Sequence, residues 1–195
     1  GDVVAGGQGD LRALRDWVAA LDDSKQYAVA VSCVKDDTYA HEIGHALESL
    51  SSATLHFVKS SATFAGVRNA YDEPQRLGVD RWLALLAIKA RGESSAVIID
   101  VGTACTIDVL ENGQHLGGYI FPGMALARDA LVANTDKIRF SGDPEPSTSL
   151  GTDTAGCVLS GIWLTLLASC QNVIDRFPNA TVYLTGGSAV SYTHL

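Results

Sequence analysis

The chain has 195 residues, enough for one or two compact α/β units, and its composition of 47% hydrophobic and 18% charged residues excludes a disordered chain. The net charge of −8, without a cluster of Lys or Arg, excludes a nucleic-acid surface, and the longest apolar candidate (residues 161–169) is shorter than the roughly 20 residues of a membrane span. The sequence opens without a secretory pattern and its four cysteines show no paired spacing, so we expect reduced, buried thiols in a cytoplasmic protein that binds neither nucleic acid nor membrane.

The first half of the chain predicts alternating helices and strands. Apolar residues recur at helical spacing over residues 9–21, which predicts an amphipathic helix there. The next predicted elements are a strand at 27–34, a helix at 41–50, a short strand at 54–58, and a polar, Pro-containing loop at 69–78 that leads into a helix at 79–90.

The most informative segment covers residues 94–135, where an acidic residue ends an apolar strand. Residues 96–99 form an apolar run rich in β-branched side chains, which predicts a strand buried on both faces. Asp100 follows where the strand leaves the core. Gly102 lets the backbone turn close to a ligand, and Thr103 offers a hydroxyl and an amide to a phosphate. This arrangement is a common way to mount a carboxylate that handles phosphate.

The rest of the chain predicts two more strands of a meander, then helices. A returning strand at 106–110 is followed by Asn112-Gly113, a strong hairpin signal, and by a third strand at 115–120 that runs to Pro122-Gly123. A helix at 124–132, a loop rich in Asp, Pro and Ser at 141–149, a long helix from about 152 to 176 and a strand at 181–185 complete the prediction. The order strand, strand, strand, helix is typical of the ribonuclease-H-like half domain that is duplicated in the actin and sugar kinase superfamily.

Four motifs together resemble type III pantothenate kinase. They are Asp-x-Gly-Thr-Ala-x-Thr-x-Asp at 100–108, Gly-Gly-Tyr-Ile-x-Pro-Gly at 117–123, Gly-Val-Asp-Arg-Trp at 78–82 and Leu-Thr-Gly-Gly at 184–187. The resemblance covers nearly the whole chain and is densest at 69–135. It implies an α/β fold of two ribonuclease-H-like units of the actin/sugar kinase superfamily, at residues 1–92 and 93–195. Both units are expected to be incomplete, because the family's first strand and Asp-x-Gly-Asn phosphate loop do not precede Gly1, and residues 191–195 resemble no family segment.

The resemblance implies ATP-dependent phosphorylation of pantothenate to 4'-phosphopantothenate, the first step of coenzyme A biosynthesis, for which this fragment alone is expected to be inactive. Asp80 matches the family's general base, and Gly78, Val79, Asp80 and Arg81 match its pantothenate-binding segment. Tyr71 matches a substrate-binding tyrosine. From the residues alone, an Asp at the start of a helix is more often an N-terminal cap than a base. The competing interpretation is therefore that Asp80 caps the helix and that Arg81 is solvated.

The resemblance also assigns the phosphate side of the site. Asp100 matches the ligand of a monovalent cation, K⁺ or NH₄⁺, and Thr103 matches an ATP contact; Mg²⁺ is expected to arrive with ATP. The competing interpretations are a strand-end turn residue for Asp100 and a plain β-former for Thr103. Thr154 matches a pantothenate-contacting threonine, although an N-cap formed by Thr152 or Asp153 explains much of that segment. A homodimer is expected, with Tyr119 and Phe121 as interface aromatics or as core.

Two other functions compete with the kinase. The family includes Bvg accessory factor-like proteins, so a non-catalytic binding protein is one alternative. His41-Glu42-Ile43-Gly44-His45 fits the zinc metallopeptidase pattern, in which two histidines one turn apart bind zinc. Ile43, Leu47 and Leu50 form the apolar stripe of a packed helix, so we interpret this match as a chance pattern on a surface helix.

Overall fold

The computed structural model describes residues 11–21, 27–33, 37–47, 53–139 and 147–187, and within them a mixed α/β fold. The elements are α1 (Leu11–Ala19), β1 (Tyr27–Val31), α2 (Asp37–Leu47), β2 (Ala53–Phe57), β3 (Thr63–Phe64), β4 (Val67–Arg68), a short 3₁₀ turn (Pro74–Arg76), α3 (Val79–Ala90), β5 (Ser95–Val101), β6 (Ala104–Glu111), β7 (Gln114–Pro122), α4 (Met124–Ala133), α5 (Thr154–Arg176) and β8 (Thr181–Thr185). Residues 1–60 with 75–82 form one compact unit, and residues 61–74 with 83–195 form a second.

The first unit contains a parallel strand pair joined by a helix. β1 and β2 pair in register from Tyr27 opposite Ala53 to Val31 opposite Phe57. A parallel pair needs a crossover connection, and α2 lies in it. The unit's described core comprises the buried residues Val18, Val31 and Leu47, against which Leu14, Leu21, Tyr27, Val29, Ile43 and Leu55 pack. The helical and alternating patterns of this region are therefore confirmed.

The second unit is built on a mixed sheet of six strands in the order β3-β4-β7-β6-β5-β8. β5, β6 and β7 form an antiparallel meander, whereas β8 runs parallel to β5. The carboxyl ends of β5 and β8 therefore meet at one edge of the sheet. Asn112 (φ 51°) and Gly113 (φ 79°) both have the positive φ that a two-residue hairpin turn demands, which confirms the predicted turn.

Helix α5 covers one face of this sheet. Its buried side chains recur every three or four residues, and they pack against alternate residues of β5 and β6. The buried cluster contains Val97, Ile99, Val101, Cys105, Ile107, Val109, Trp163, Leu166, Cys170 and Val173. By length and composition α5 could cross a membrane, so the expectation that no segment reaches that length was wrong. Its buried stripe is nevertheless the pattern of a core helix.

The structure also differs from the sequence prediction at several boundaries. A hairpin of β3 and β4 was missed, because two residues per strand are too few to show alternation. α2 begins at Asp37 rather than at residue 41, and β1 ends at Val31 rather than at residue 34. The predicted ends at 9–10, 34 and 48–50 and most of the 141–149 loop lie outside the described residues.

The four cysteines occupy different environments. All are free thiols; Cys105 and Cys170 are buried, Cys33 is partly exposed and Cys157 is exposed on α5. The expectation of buried cysteines was therefore wrong for Cys157, whose thiol donates to the Gly151 carbonyl at 3.3 Å. A hydrogen bond to the Cys170 thiol, together with burial, raises the pKa of Cys105 above its ordinary value, so this thiol stays protonated and unreactive.

Candidate active site

Asp80 lies in the first turn of α3, immediately after a glycine. The Gly78 carbonyl accepts the first helical hydrogen bond from the Trp82 N–H at 3.0 Å, which makes Gly78 the residue that opens the helix. The Asp80 carboxylate folds back towards that glycine, since a Cβ on Gly78 would lie 2.6 Å from Asp80 Oδ1. The buried Ser60 hydroxyl donates to the Leu77 carbonyl at 2.7 Å and so fixes the chain just before the turn.

The two residues of this turn have opposite environments. Asp80 is exposed, and its Oδ1 accepts the Arg81 N–H at 2.8 Å. The capping interpretation of Asp80 is thus partly correct, because the carboxylate binds one of the first-turn N–H groups. Arg81 is only 6% exposed, so the interpretation of a solvated guanidinium was wrong. An exposed carboxylate at the positive end of a helix can orient a hydroxyl and accept its proton.

Asp100 belongs to a polar row that crosses three strands of the second unit. It pairs with Thr106 of the antiparallel β6 and with Thr185 of the parallel β8. Directly paired residues project to the same face of a sheet, opposite to the face that α5 covers. Asp100 and Thr106 are half-buried and Thr185 is exposed. The row therefore presents a carboxylate and two hydroxyls where two parallel strands end, which is where α/β sheets bind ligands.

Three turns lie next to Asp100 in this polar row: the turn between β5 and β6, the Pro-Gly turn after β7 and the Gly-Gly turn after β8. Thr103 is exposed in the tight turn between β5 and β6, and its carbonyl accepts the Gly123 N–H at 2.9 Å. A Cβ on Gly123 would lie 2.8 Å from the Thr103 carbonyl oxygen. On the other side, Gly186 has φ +105°, and a Cβ there would lie 2.5 Å from Asp100 Oδ1. The two glycines allow the Pro-Gly turn and the Gly-Gly turn to close around Asp100 and Thr103.

Tyr71 lies in a loop of the second unit, away from these turns in sequence. Its ring stacks on His115 with the ring centres 6.3 Å apart and the planes at 14°. Its N–H donates to Asn69 Oδ1 at 3.0 Å. The sequence analysis included Asp108 only as the end of the 100–108 motif and gave Asn69 and His115 no role in the site. A local signal for Asn69 was its position two residues before Tyr71, which is the spacing of an Asx turn.

Thr154 is the exposed first residue of α5. The preceding Asp153 is the N-cap, and its carboxylate accepts the Gly156 N–H at 2.7 Å. The capping interpretation of this segment is confirmed for Asp153 and wrong for Thr152. A role of Thr154 in substrate binding stays a prediction.

We expect Asp153→Ala to lower the free energy of unfolding by about 1 kcal/mol, because one first-turn N–H of α5 loses its acceptor. Asp153→Asn, whose side-chain oxygen can accept the same bond, should lie within a few tenths of a kcal/mol of the wild type. Urea denaturation followed by circular dichroism would measure both variants. Equal stability of the alanine and asparagine variants would contradict this assignment.

The His-Glu-x-x-His match lies on the surface of α2. His41, Glu42 and His45 are exposed, while Ile43 and Leu47 pack into the core of the first unit, as expected for a surface helix. Within the described ranges, no group of three or more His, Cys, Asp or Glu side chains could hold a metal ion. Nothing in the described chain therefore supports the zinc peptidase alternative.

These features define a mixed α/β protein in which Asp100 and the neighbouring turn of Thr103 are packed between Gly123 and Gly186. The site lies at the carboxyl ends of two parallel strands, an edge at which α/β sheets bind ligands. A family model described as type III pantothenate kinase matches residues 7–176. The chain therefore belongs to the type III pantothenate kinase family.

Comparison with individual proteins agrees with this assignment. The chain is 36% identical over 163 residues to a type III pantothenate kinase of Acinetobacter baumannii, covering 84% of this chain and 66% of the relative. It is 38% identical over 161 residues to the enzyme so named from Acinetobacter baylyi, covering 83% and 65%. The chain thus spans slightly less than two thirds of these relatives' lengths. A crystal structure described as a Baf family transcriptional activator from Campylobacter jejuni has the same fold, with a TM-score of 0.57 and 19% identity, covering 92% of this chain and 75% of that one.

Proposed function

We propose that the protein transfers the γ-phosphoryl group of ATP to the primary hydroxyl of pantothenate, giving 4'-phosphopantothenate for coenzyme A biosynthesis. The observation that carries this proposal is the turn of Asp100 and Thr103, enclosed by Gly123 and Gly186 at the carboxyl ends of β5 and β8, in a chain of this family. A turn of this kind can hold nucleotide phosphates, because the glycines let backbone approach them closely.

Asp80 acts in this proposal as the general base. Its carboxylate orients the pantothenate hydroxyl and accepts its proton as the oxygen bonds to phosphorus and ADP leaves. The exposure of Asp80 supports this role, since the group can reach a substrate without rearrangement of the core. Gly78 and Val79 present the carboxylate, and the planar guanidinium of Arg81 suits the carboxylate of pantothenate. Tyr71 and Thr154 complete the pantothenate contacts.

Asp100 and Thr103 act on the phosphate side. The donor set of the Asp100 row consists of hard oxygens from one carboxylate and two hydroxyls, which fits a monovalent cation such as K⁺ or NH₄⁺. Such an ion would offset phosphate charge beside the nucleotide. Thr103 contacts ATP from its exposed position in the turn. Mg²⁺ would be held mainly by ATP phosphates and water, because it gives up its hydration shell reluctantly.

The proposal extends to architecture and assembly. The meander of β5, β6 and β7, followed by α4 and by β8 parallel to β5, supports a ribonuclease-H-like second unit of the actin/sugar kinase superfamily. By sequence, the two half domains of this proposal span 1–92 and 93–195. They differ from the two compact units of the fold, in which residues 61–74 and 83–92 belong to the second unit. Two exposed apolar side chains on the face of the sheet that α5 covers, Tyr119 on β7 and Leu164 on α5, support a homodimer formed by this surface. A cytoplasmic location is part of the same proposal. Phe121 packs on the core of the sheet and is not needed for that contact.

The test is phosphorylation of pantothenate by the natural reading frame that contains this sequence. We expect 4'-phosphopantothenate, identified by mass spectrometry, to form with ATP and Mg²⁺ and to require K⁺ or NH₄⁺ rather than Na⁺. A folded protein that makes no product with any of these cations would refute the kinase proposal and favour the non-catalytic accessory protein. Product formation that is equal in Na⁺ would refute the cation role of Asp100 alone.

A further inference from the structure

A histidine and an aspartate form a buried pair behind the Tyr71 loop. His115 is 0% exposed and Asp108 is 2% exposed, and His115 Nε2 lies 2.8 Å from Asp108 Oδ1. The other ring nitrogen, Nδ1, accepts the Ala70 N–H at 3.4 Å. Because a backbone N–H can only donate, this contact assigns the ring proton to Nε2, which then donates to the carboxylate. Asp108 thereby fixes the tautomer in which His115 can accept from the loop.

A β-bulge places His115 on the face of Asp108. Val109 pairs with Gly117 but Leu110 pairs with His115, so β7 carries one extra residue at this point. A one-residue shift moves a side chain to the other face of the sheet, and without the bulge His115 would share the face that α5 covers. Gly117 has φ +111°, a conformation that a side chain disfavours. The first glycine of the Gly-Gly-Tyr motif thus serves the bulge and the position of His115.

The loop is fixed on both sides of the His115 contact. The Asn69 side chain accepts the Tyr71 N–H and donates to the carbonyls of Ser61 and Pro74, each at 3.2 Å. The Asn69 backbone N–H donates to the Ala62 carbonyl at 2.9 Å. Between these anchors, the Tyr71 ring lies on the imidazole of His115. The tyrosine ring therefore packs on a group that is buried in the sheet.

We propose that His115, oriented by Asp108, is a positioning residue that holds the Ala70–Tyr71 backbone and the Tyr71 ring for pantothenate. The inference rests on the proposed function only in naming pantothenate as the ligand that Tyr71 contacts. A rigid support of this kind matters because binding groups lose affinity when the residues behind them leave them loose. A purely structural histidine would stabilise the fold without setting substrate affinity.

Two substitutions separate the functions of the two ring nitrogens. In His115→Gln the amide nitrogen can still donate to Asp108, but no acceptor remains at the δ position for Ala70. In His115→Asn the side-chain oxygen can accept from Ala70, but the donor to Asp108 is lost. We expect the glutamine variant to raise the pantothenate KM by ~5–10-fold with kcat and the ATP KM unchanged. The asparagine variant should keep that KM within roughly twofold while its melting temperature falls further. His56→Gln, at an exposed position of β2, is the control.

The decisive readout does not need pantothenate. Hydrogen exchange of the Ala70 amide should accelerate in the glutamine variant and stay protected in the asparagine variant and in the control. In the wild type, nitrogen chemical shifts should show His115 protonated at Nε2 and not at Nδ1. A proton on Nδ1, or an unchanged Ala70 exchange rate in a folded glutamine variant, would overturn the proposal. The expected exchange pattern in a protein that does not bind pantothenate would support the positioning role and refute the proposed substrate.

Discussion

Asp80→Asn is expected to lower kcat for pantothenate phosphorylation by ~10²–10⁴-fold, the usual range for loss of a general base. The amide keeps the size of the carboxylate and can still accept the Arg81 N–H through its oxygen, so the start of α3 should persist. An amide cannot accept the proton of the attacking hydroxyl. The pantothenate KM should change less than kcat, because the loss concerns the transition state.

The matched control is Asp129→Asn, which removes one carboxylate from an exposed position of α4, where it contacts Arg128. This variant should retain the wild-type kcat, since a surface ion pair contributes little. Steady-state kinetics and thermal unfolding of both variants would complete the comparison. An Asp80→Asn protein that turns over at the wild-type rate would remove Asp80 from the mechanism.

Local patterns predicted most elements of the fold. The α3 helix was predicted with its observed bounds, Val79–Ala90, and β8 with its bounds, Thr181–Thr185. Helical periodicity, β-branched runs and the Asn-Gly turn act over a few residues, so the sequence displays them directly. The capping function of Asp153 was also visible in the sequence, because the N-cap carboxylate and the Gly156 N–H that it accepts lie within one helical turn.

Features that depend on register or on distant partners could not be predicted in this way. The bulge that turns His115 towards Asp108 follows from the pairing of β6 with β7, and one residue of shift decides which face the histidine occupies. The burial of Arg81 and the exposure of Cys157 depend on which side of each helix packs. The candidate site was predicted as a set of motifs, whereas its supporting contacts became visible only when the loop at Ala70 and the strand β7 were placed together.

The neighbouring glycines Gly186 and Gly187 should respond very differently to alanine. Gly186 has φ +105°, and its added Cβ would lie 2.5 Å from both Asp100 Oδ1 and Val101 N, so the turn or the carboxylate must move. We expect Gly186→Ala to lower the free energy of unfolding by about 2–4 kcal/mol, through backbone strain and overpacking.

The functional consequence of Gly186→Ala should fall on the phosphate side of the site. Because Asp100 and the turn of Thr103 lie at the same sheet edge, their displacement should raise the ATP KM more than the pantothenate KM. A Cβ on Gly187 would meet no atom of the described residues within 4 Å, and the glycine is exposed. Gly187→Ala should therefore match the wild type in stability and leave the ATP KM unchanged. Urea denaturation and nucleotide titrations would measure both effects. Equal impairment of the two variants would show that flexibility of the Gly-Gly pair, rather than the close approach of Gly186 to Asp100, is what the site requires.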